Sequence, residues 1–264
     1  LIRNGLNMSD KTIVVGDVHV APDQSLRRAT WLGRLVHDIK PDRIVFIGDF
    51  GTFDSLSAWD RDKRKLMENR RYYKDIHSMR TFLSNYCIGS NTPDLYGSVE
   101  HILTEGNHED RIRRYIDINP IMERQLDYAD QIGIADTWKI VPYKSYYTHK
   151  AVAFTHAPIN EGGKPVSGKT ATAKVLELCD TSVVFGHTHK LDYKAAHRHG
   201  KKHLQEVLNV GCFFEHVDEY ALGSMTSYWR GIVVLNHYDK GRFGYETIPL
   251  GLLRREYDNK INKG

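Results

Sequence analysis

Apolar residues recur along the chain in two rhythms. Short β-branched runs at Thr12–Val15, Arg43–Ile47, Val99–Thr104, Ala151–Thr155, Ser182–Phe185, Val207–Val210 and Gly231–Asn236 read as strands, with a shorter one at Tyr146–Thr148. Between them the spacing becomes helical. Leu26, Ala29, Leu32 and Val36 mark one face of a helix over Ser25–Ile39, with Ser25 as its cap. Leu66, Tyr73, Ile76, Leu83 and Tyr86 predict a long amphipathic helix over residues 60–86. Glu109–Tyr115 and Ile121–Tyr128 read as two helices separated by Asn119-Pro120, and Thr170–Cys179 as another. Strands alternating with helices predict an α/β fold. The longest purely apolar runs, such as Ile44–Ile47 and Ile232–Leu235, are strand-length. A spanning helix needs about 20 apolar residues, so no membrane is expected as a partner.

Composition narrows this further. The chain has 264 residues, 41% hydrophobic and 27% charged, a balance that excludes a disordered tract, a collagen and a coiled coil. The expectation is a single domain over 1–264 with a basic helical insertion at about 59–90. Residues 60–80 hold eight bases and four acids, which accounts for the whole formal net charge of +4. Interleaved with Trp59, Tyr72 and Tyr73, these bases form a candidate track for a nucleic-acid backbone; otherwise they form a solvated face. Three cysteines without a C-x-x-C pair, and no apolar leader over residues 1–10, predict a reducing, cytoplasmic location.

The chemistry lies where apolar runs stop. One ends at Gly16-Asp17-Val18-His19, one at Gly48-Asp49, one at Gly106-Asn107-His108-Glu109, one at His156, and one at Gly186-His187-Thr188-His189. Parallel strands would bring these endings to one rim, just beyond the carboxyl ends of a sheet. Glycine before four of the five lets the backbone turn sharply out of it. The donors are carboxylate, imidazole and amide oxygen, with no thiolate. Such a set suits manganese, iron, zinc, nickel or magnesium rather than a cysteine-based structural zinc. Seven candidate ligands exceed one four-coordinate ion and suit two ions about 3.5–4 Å apart sharing a carboxylate. A D-x-H pattern is expected about 0.6 times by chance in such a chain, but G-N-H-[DE] only about 0.003 times and G-H-x-H about 0.03 times.

In this order the motifs resemble those of the calcineurin-like metallophosphoesterase superfamily, from Asp17 to His189, with Asn209-Val210-Gly211-Cys212 similar to its Asn-x-Gly-Ser segment. The resemblance implies a double β-sheet sandwich flanked by helices (α/β/β/α). It implies one metal held by Asp17, His19, Asp49 and His189, and a second held by Asp49, Asn107, His156 and His187. His108 would stabilise or protonate the leaving oxygen. Arg111 and Arg114, just beyond it, are candidate substrate clamps. The family's second motif often continues G-D-x-x-D; here the acid falls at Asp54, which alters the loop around the substrate. The D-R-G continuation typical of Ser/Thr protein phosphatases is absent. The function implied is a two-metal phosphoester hydrolase with manganese as the leading ion, acting on nucleotide or nucleic-acid phosphodiesters. The alternatives are a broad-specificity phosphomonoesterase and a non-catalytic module keeping the fold.

Other motifs read differently. His149 rivals His156 as the lone histidine ligand, but His156 directly follows a buried-type strand. His197-Arg198-His199 sits in a basic turn and reads as surface; Asn236-His237 reads as structural. Gly163–Thr170 satisfies G-x-x-x-x-G-K-T, yet no strand directly precedes it, so it reads as a loop near the site where Lys164 or Lys169 meets substrate.

Overall fold

The computed structural model describes residues 10–92, 94–197, 203–216 and 227–261. Two mixed sheets face each other. The first has strand order β11-β10-β1-β2-β3-β4, and the second β5-β6-β7-β9-β8. In the first, β1 (Lys11–Gly16), β2 (Arg43–Ile47), β3 (Glu100–Thr104) and β4 (Lys139–Val141) run parallel. β10 (Gly231–His237) and β11 (Phe243–Pro249) complete the edge antiparallel. In the second, β6 (Val152–Thr155), β7 (Ser182–Phe185) and β9 (Leu204–Val210) are parallel, flanked antiparallel by β5 (Tyr147–His149) and β8 (Leu191–His197).

The period of two in each strand builds three packed interfaces. Val14, Val45, Ile47 and Ile102 point inward and meet Phe154, Val184 and Leu208 of the second sheet. Ile13, Val15, Ile44 and Phe46 point outward, against α1 (Arg27–Ile39) and α3 (Tyr72–Ser90). On the far side, Ala153, Val183 and Phe185 pack against Ala171 and Val175 of α7 (Ala171–Leu178). The layers are therefore α/β/β/α, as the motifs imply. β2 is buried at every position, since both of its faces are covered.

Several elements differ from the sequence expectation. The helix expected over 60–86 is two: α2 (Arg64–Met67) and α3. Arg71 between them is extended (φ −141°, ψ 133°), and its guanidinium donates to the carbonyls of Glu68 and Arg70, satisfying groups left by the first helix. α3 then buries Ile76, Met79, Phe82, Leu83 and Tyr86 against the α1 side of the core. Ile121–Tyr128 is not a helix: a single 3₁₀ turn spans Pro120–Met122 and α6 (Tyr128–Gln131) starts later, with Asp127 accepting from the Asp130 N–H. Ser25 does not cap α1. Leu26 occupies that position, and the Ser25 carbonyl instead accepts from Arg28 Nη1 at 2.7 Å. β4, β8, β11 and the terminal helix α8 (Leu250–Ile261) are additional. Of the His197-Arg198-His199 pattern, only His197 lies within the described residues.

Candidate active site

Because β1, β2, β3, β6 and β7 all point the same way within their sheets, their carboxyl ends meet at one rim. Each chain leaves its strand through an unusual backbone turn. Asp17, His19, Asp49, His187 and His189 all have positive φ, between 27° and 67°. Left-handed backbone costs energy for residues with a Cβ and is found mainly where surrounding structure enforces it. Two glycines permit the close approach. A Cβ on Gly48 (φ 65°) would lie 2.6 Å from His156 Nδ1, and one on Gly106 would collide with the Asp49 carboxylate.

The rim gathers all seven predicted ligands and His108. On one side, His19 Nε2 lies 3.3 Å from His189 Nε2 and 3.7 Å from Asp49 Oδ2, and His189 Nε2 is 3.4 Å from Asp17 Oδ1. On the other, His156 Nε2 lies 3.0 Å from Asn107 Oδ1, 3.2 Å from His187 Nδ1 and 3.4 Å from Asp49 Oδ2. Asp49 belongs to both groups. His108 stands beside it, with Nε2 at 3.9 Å from Asp49 Oδ2 and Nδ1 donating to the Thr52 carbonyl at 2.7 Å. Arg111 is fixed by the Thr52 carbonyl and Asp54 Oδ1, and its Nη2 reaches 3.4 Å from His108 Nε2. Arg114 donates to the Asn107 carbonyl at 3.0 Å and pairs with Asp110.

The hydrogen bonds fix which atoms are lone pairs. His156 Nδ1 donates to the Ile47 carbonyl at 3.0 Å, so its Nε2 carries no proton in the neutral ring. That lone pair faces the Asn107 amide oxygen and the Asp49 carboxylate. Three acceptors thus converge within about one contact distance, an arrangement that suits a cation between them. The Asp17 carboxylate accepts the His187 backbone N–H at 2.9 Å, which ties the loop after β7 to the end of β1.

Electrostatics follow from burial and crowding. Burial acts to raise the Asp49 carboxyl, but His156, His108 and His19 outweigh it and hold the group well below the usual carboxylate range. Burial pushes His19 well down, aided by His108, and burial with the His156 charge pushes His187 down to about 4. His156 is the exception: burial opposes protonation, yet Asp49 and Asp17 raise it. Neutral His19 and His187 beside an ionised Asp49 are in the protonation states that metal ligation requires, and a cation there would take the place of the His156 proton.

A profile of the calcineurin-like phosphoesterase family matches residues 11–191. The chain belongs to that family. Calcineurin-like phosphoesterases are metal-dependent enzymes built on a binuclear centre, and this chain is accordingly a metal-dependent phosphoesterase. It is 24% identical over 253 residues to the Gene 54 protein of Mycobacterium phage D29, covering 92% of this chain and 94% of that protein. It is also 24% identical over 272 residues to the Gene 54 protein of Mycobacterium phage L5, covering 96% and 99%. Among solved structures, Vps29 from Entamoeba histolytica, complexed with Zn2+, aligns with TM-score 0.38 and 12% identity over 91% of this chain and 99% of that one. YfcE, a phosphoesterase from E. coli, aligns with TM-score 0.40 and 12% identity over 91% and 99%.

Sequence reasoning gave Glu109 no role, although it is the acidic position of the G-N-H-[DE] motif. It is buried, and its carboxylate accepts from the backbone N–H groups of Asp49 (2.9 Å), Gly51 (3.1 Å) and Gly106 (2.8 Å). One side chain thereby ties the loop after β2 to the loop after β3. Phe214 and Tyr228 were also missed; their rings pack edge-on against His189 at 5.2 and 4.6 Å. No spacing signal marks them. His149 lies away from the rim, at the end of β5 beside the turn into β6, with Nε2 bonded to Asp10 at 2.8 Å and its ring 5.0 Å from that of His237. The basic segment is partly self-neutralised: Arg70 and Lys63 pair with Asp60, and Arg80 donates to the Gln131 carbonyl. The Tyr72 hydroxyl is bonded to Gln131, while Trp59 is 85% exposed. Among the described residues no helix is long and apolar enough to cross a membrane.

Proposed function

We propose that the protein is a phosphodiesterase of nucleotides or nucleic acid, working with two divalent cations, manganese first among them. Asp17, His19, Asp49 and His189 would hold one cation, and Asp49, Asn107, His156 and His187 the other. The donor set fits iron, zinc, nickel or magnesium as well, and manganese suits its mixture of carboxylate, amide oxygen and imidazole. The observation that carries this reading is the convergence of the His156 Nε2 lone pair, the Asn107 amide oxygen and the Asp49 carboxylate at 3.0–3.4 Å. When bound, the cations supply charge neutralisation of the phosphoryl oxygens and activation of a solvent nucleophile near neutral pH.

The chain's own groups do the rest. His108 is held by its Nδ1–H bond to Thr52, which leaves Nε2 a lone pair in the neutral ring; burial and Arg111 favour that neutral form and Asp49 opposes them, so Nε2 delivers a proton to the leaving oxygen from the imidazolium form, after taking that proton from solvent. Arg111, rigidly seated on Asp54, presents Nη2 beside that nitrogen and steadies a phosphoryl oxygen as charge develops. Arg114 secures the Asn107 loop and adds positive charge at the rim. The diester preference is supported by the exposed Trp59 indole, which borders, with Leu56, Ala58, Arg61, Arg111, Arg114, Tyr115 and Ile118, a shallow recess of about 30 Å³, too small to enclose a base but open for stacking on its rim. An exposed indole beside guanidinium groups suits the base and second alcohol of a nucleotide diester. The test is hydrolysis of bis-p-nitrophenyl phosphate against p-nitrophenyl phosphate with manganese. A higher kcat/KM on the diester is expected; a higher value on the monoester would establish the phosphomonoesterase reading instead.

A further inference from the structure

β4 brings another strand ending to the rim. It runs parallel to β3 with Val141 opposite Thr104, so Tyr143 follows its strand at the same depth as Gly106 follows β3. Side chains just beyond the carboxyl ends of such strands are the ones that meet ligands. The Tyr143 ring centre lies 6.4 Å from that of His156, tilted by 57°. His108 stands on the other flank, its ring centre 4.7 Å from that of His19. The two residues thus bracket the ligand cluster, His108 beside the first group and Tyr143 beside the second.

The loop that carries Tyr143 is tied down at several points. The Glu105 backbone N–H donates to the Val141 carbonyl at 2.8 Å, and the Ser145 N–H donates to the Pro142 carbonyl at 3.0 Å. The Glu105 carboxylate accepts from the Tyr143 backbone N–H and, at 2.8 Å, from the Tyr128 hydroxyl. Lys144 is left-handed (φ 69°), like the turns that carry Asp17, Asp49 and His187, and its Nζ lies 5.7 Å from the Tyr143 ring centre. Such backbone persists in residues with a Cβ only where the surroundings enforce it.

The fold leaves one group of this loop unused. Tyr143 is half-buried, and its hydroxyl has no hydrogen-bond partner among the described residues. The hydroxyls of Tyr72, Tyr86, Tyr128, Tyr147, Tyr193 and Tyr257 are all bonded within the fold, which is the ordinary state of a tyrosine that is largely covered. Burial, followed by the Asp49 and Asp110 carboxylates, raises the Tyr143 phenol to about 12, and Arg114 acts against them. The hydroxyl is therefore within electrostatic reach of the carboxylate that both ligand groups share, and near neutral pH it keeps its proton as a donor. A phosphoryl oxygen is an acceptor for such a donor, and a donor fixed in place where charge develops lowers the barrier.

We propose that Tyr143 is a substrate-binding residue of this enzyme, its hydroxyl donating to a phosphoryl oxygen on the Asn107 and His156 side of the rim while His108 serves the leaving oxygen on the other. The contact is to the phosphoryl group that monoesters and diesters share. It rests on the phosphoesterase reading and is independent of the diester preference.

Tyr143→Phe removes only the hydroxyl, which nothing in the fold uses, so the variant is expected to melt with wild type and to carry the same manganese. Two measurements on the full chain loaded with manganese then test the contact. Inorganic phosphate is titrated calorimetrically, and kcat/KM is measured on bis-p-nitrophenyl phosphate. Loss of a hydrogen bond to a charged acceptor should weaken phosphate binding about tenfold or more and lower kcat/KM by at least as much. Equal phosphate affinity, or equal kcat/KM, would overturn the proposal. A variant that melts well below wild type or loses manganese would also overturn it, because the hydroxyl would then belong to the fold. If wild type hydrolyses no diester, the phosphodiesterase reading fails, while the phosphate titration still decides on Tyr143.

Discussion

Removing the Glu109 carboxylate should loosen the rim at its mechanical centre. Glu109 touches no predicted ligand side chain through its carboxylate; it grips the backbone that carries them. Oε2 accepts from Asp49 N and Gly106 N, and Oε1 from Gly51 N. Burial and the neighbouring Asp49 carboxylate push the Glu109 carboxyl up to about 8, so near neutral pH the acceptor is largely the neutral acid; its hydrogen bonds contribute about 0.5–1.5 kcal/mol each, and a buried donor left unpaired costs about 1–3 kcal/mol. Truncation in Glu109→Ala removes all three, but water entering the space recovers part of the loss. A net destabilisation of about 3–5 kcal/mol is expected. Near this chain length 1 kcal/mol moves Tm by about 2–4 °C, so the melting point should fall by about 6–20 °C. Glu109→Gln is more informative. Its oxygen can keep the two bonds at Oε2, which turns its NH₂ against the Gly51 N–H and costs about 1–3 kcal/mol. Scanning calorimetry gives the stability, and mass-spectrometric metal analysis of the same samples gives the cation content, expected to fall in the order wild type, Gln, Ala. A Glu109→Ala protein melting within a degree or two of wild type, with full metal content, would refute the reasoning.

Asp49→Asn should deplete both cations, because the carboxylate is shared; loss of one ion alone, measured by elemental analysis, would refute the bridge. His108→Ala should keep its metals and lose about 10²–10⁴-fold in kcat on a nitrophenyl diester, and undiminished turnover would remove His108 from proton transfer. Asp75, buried on α3 and accepting from Ser55 Oγ at 2.6 Å, is raised to about 6, chiefly by burial. The folded state therefore holds the proton more tightly than the unfolded chain, so stability is full below about pH 4 and falls as pH rises toward 6, by about 3 kcal/mol at most. Urea titrations of Asp75→Asn should lack that decline, and an unchanged pH slope would show that another group carries it.

What was legible in the sequence was what burial on both faces imposes. β1, β2, β3, β6 and β7 are buried almost throughout, so their runs are continuous and their ends sharp. β8 and β11 lie at sheet edges with mixed exposure, and Leu191–His197 and Phe243–Pro249 carry too many polar residues to stand out. The break at Arg71 depends on side-chain bonds to nearby carbonyls, which periodicity does not register. The site followed the same division. Asp17, His19, Asp49, Asn107, His108, His156, His187 and His189 were visible because each chemically distinctive residue terminates an apolar run. Glu109 carried a motif signal without a mechanism, since its role is to bond backbone from two loops. The packing of Phe214 and Tyr228 against His189 arises from tertiary placement of ordinary residues.

Anomalous diffraction from a crystal of the manganese-loaded protein tests the central claim most directly. The account predicts two peaks about 3.5–4 Å apart, one bounded by Asp17, His19 and His189, the other by Asn107, His156 and His187, with Asp49 touching both. A single peak, or a pair with Asp49 bound to neither, would contradict it.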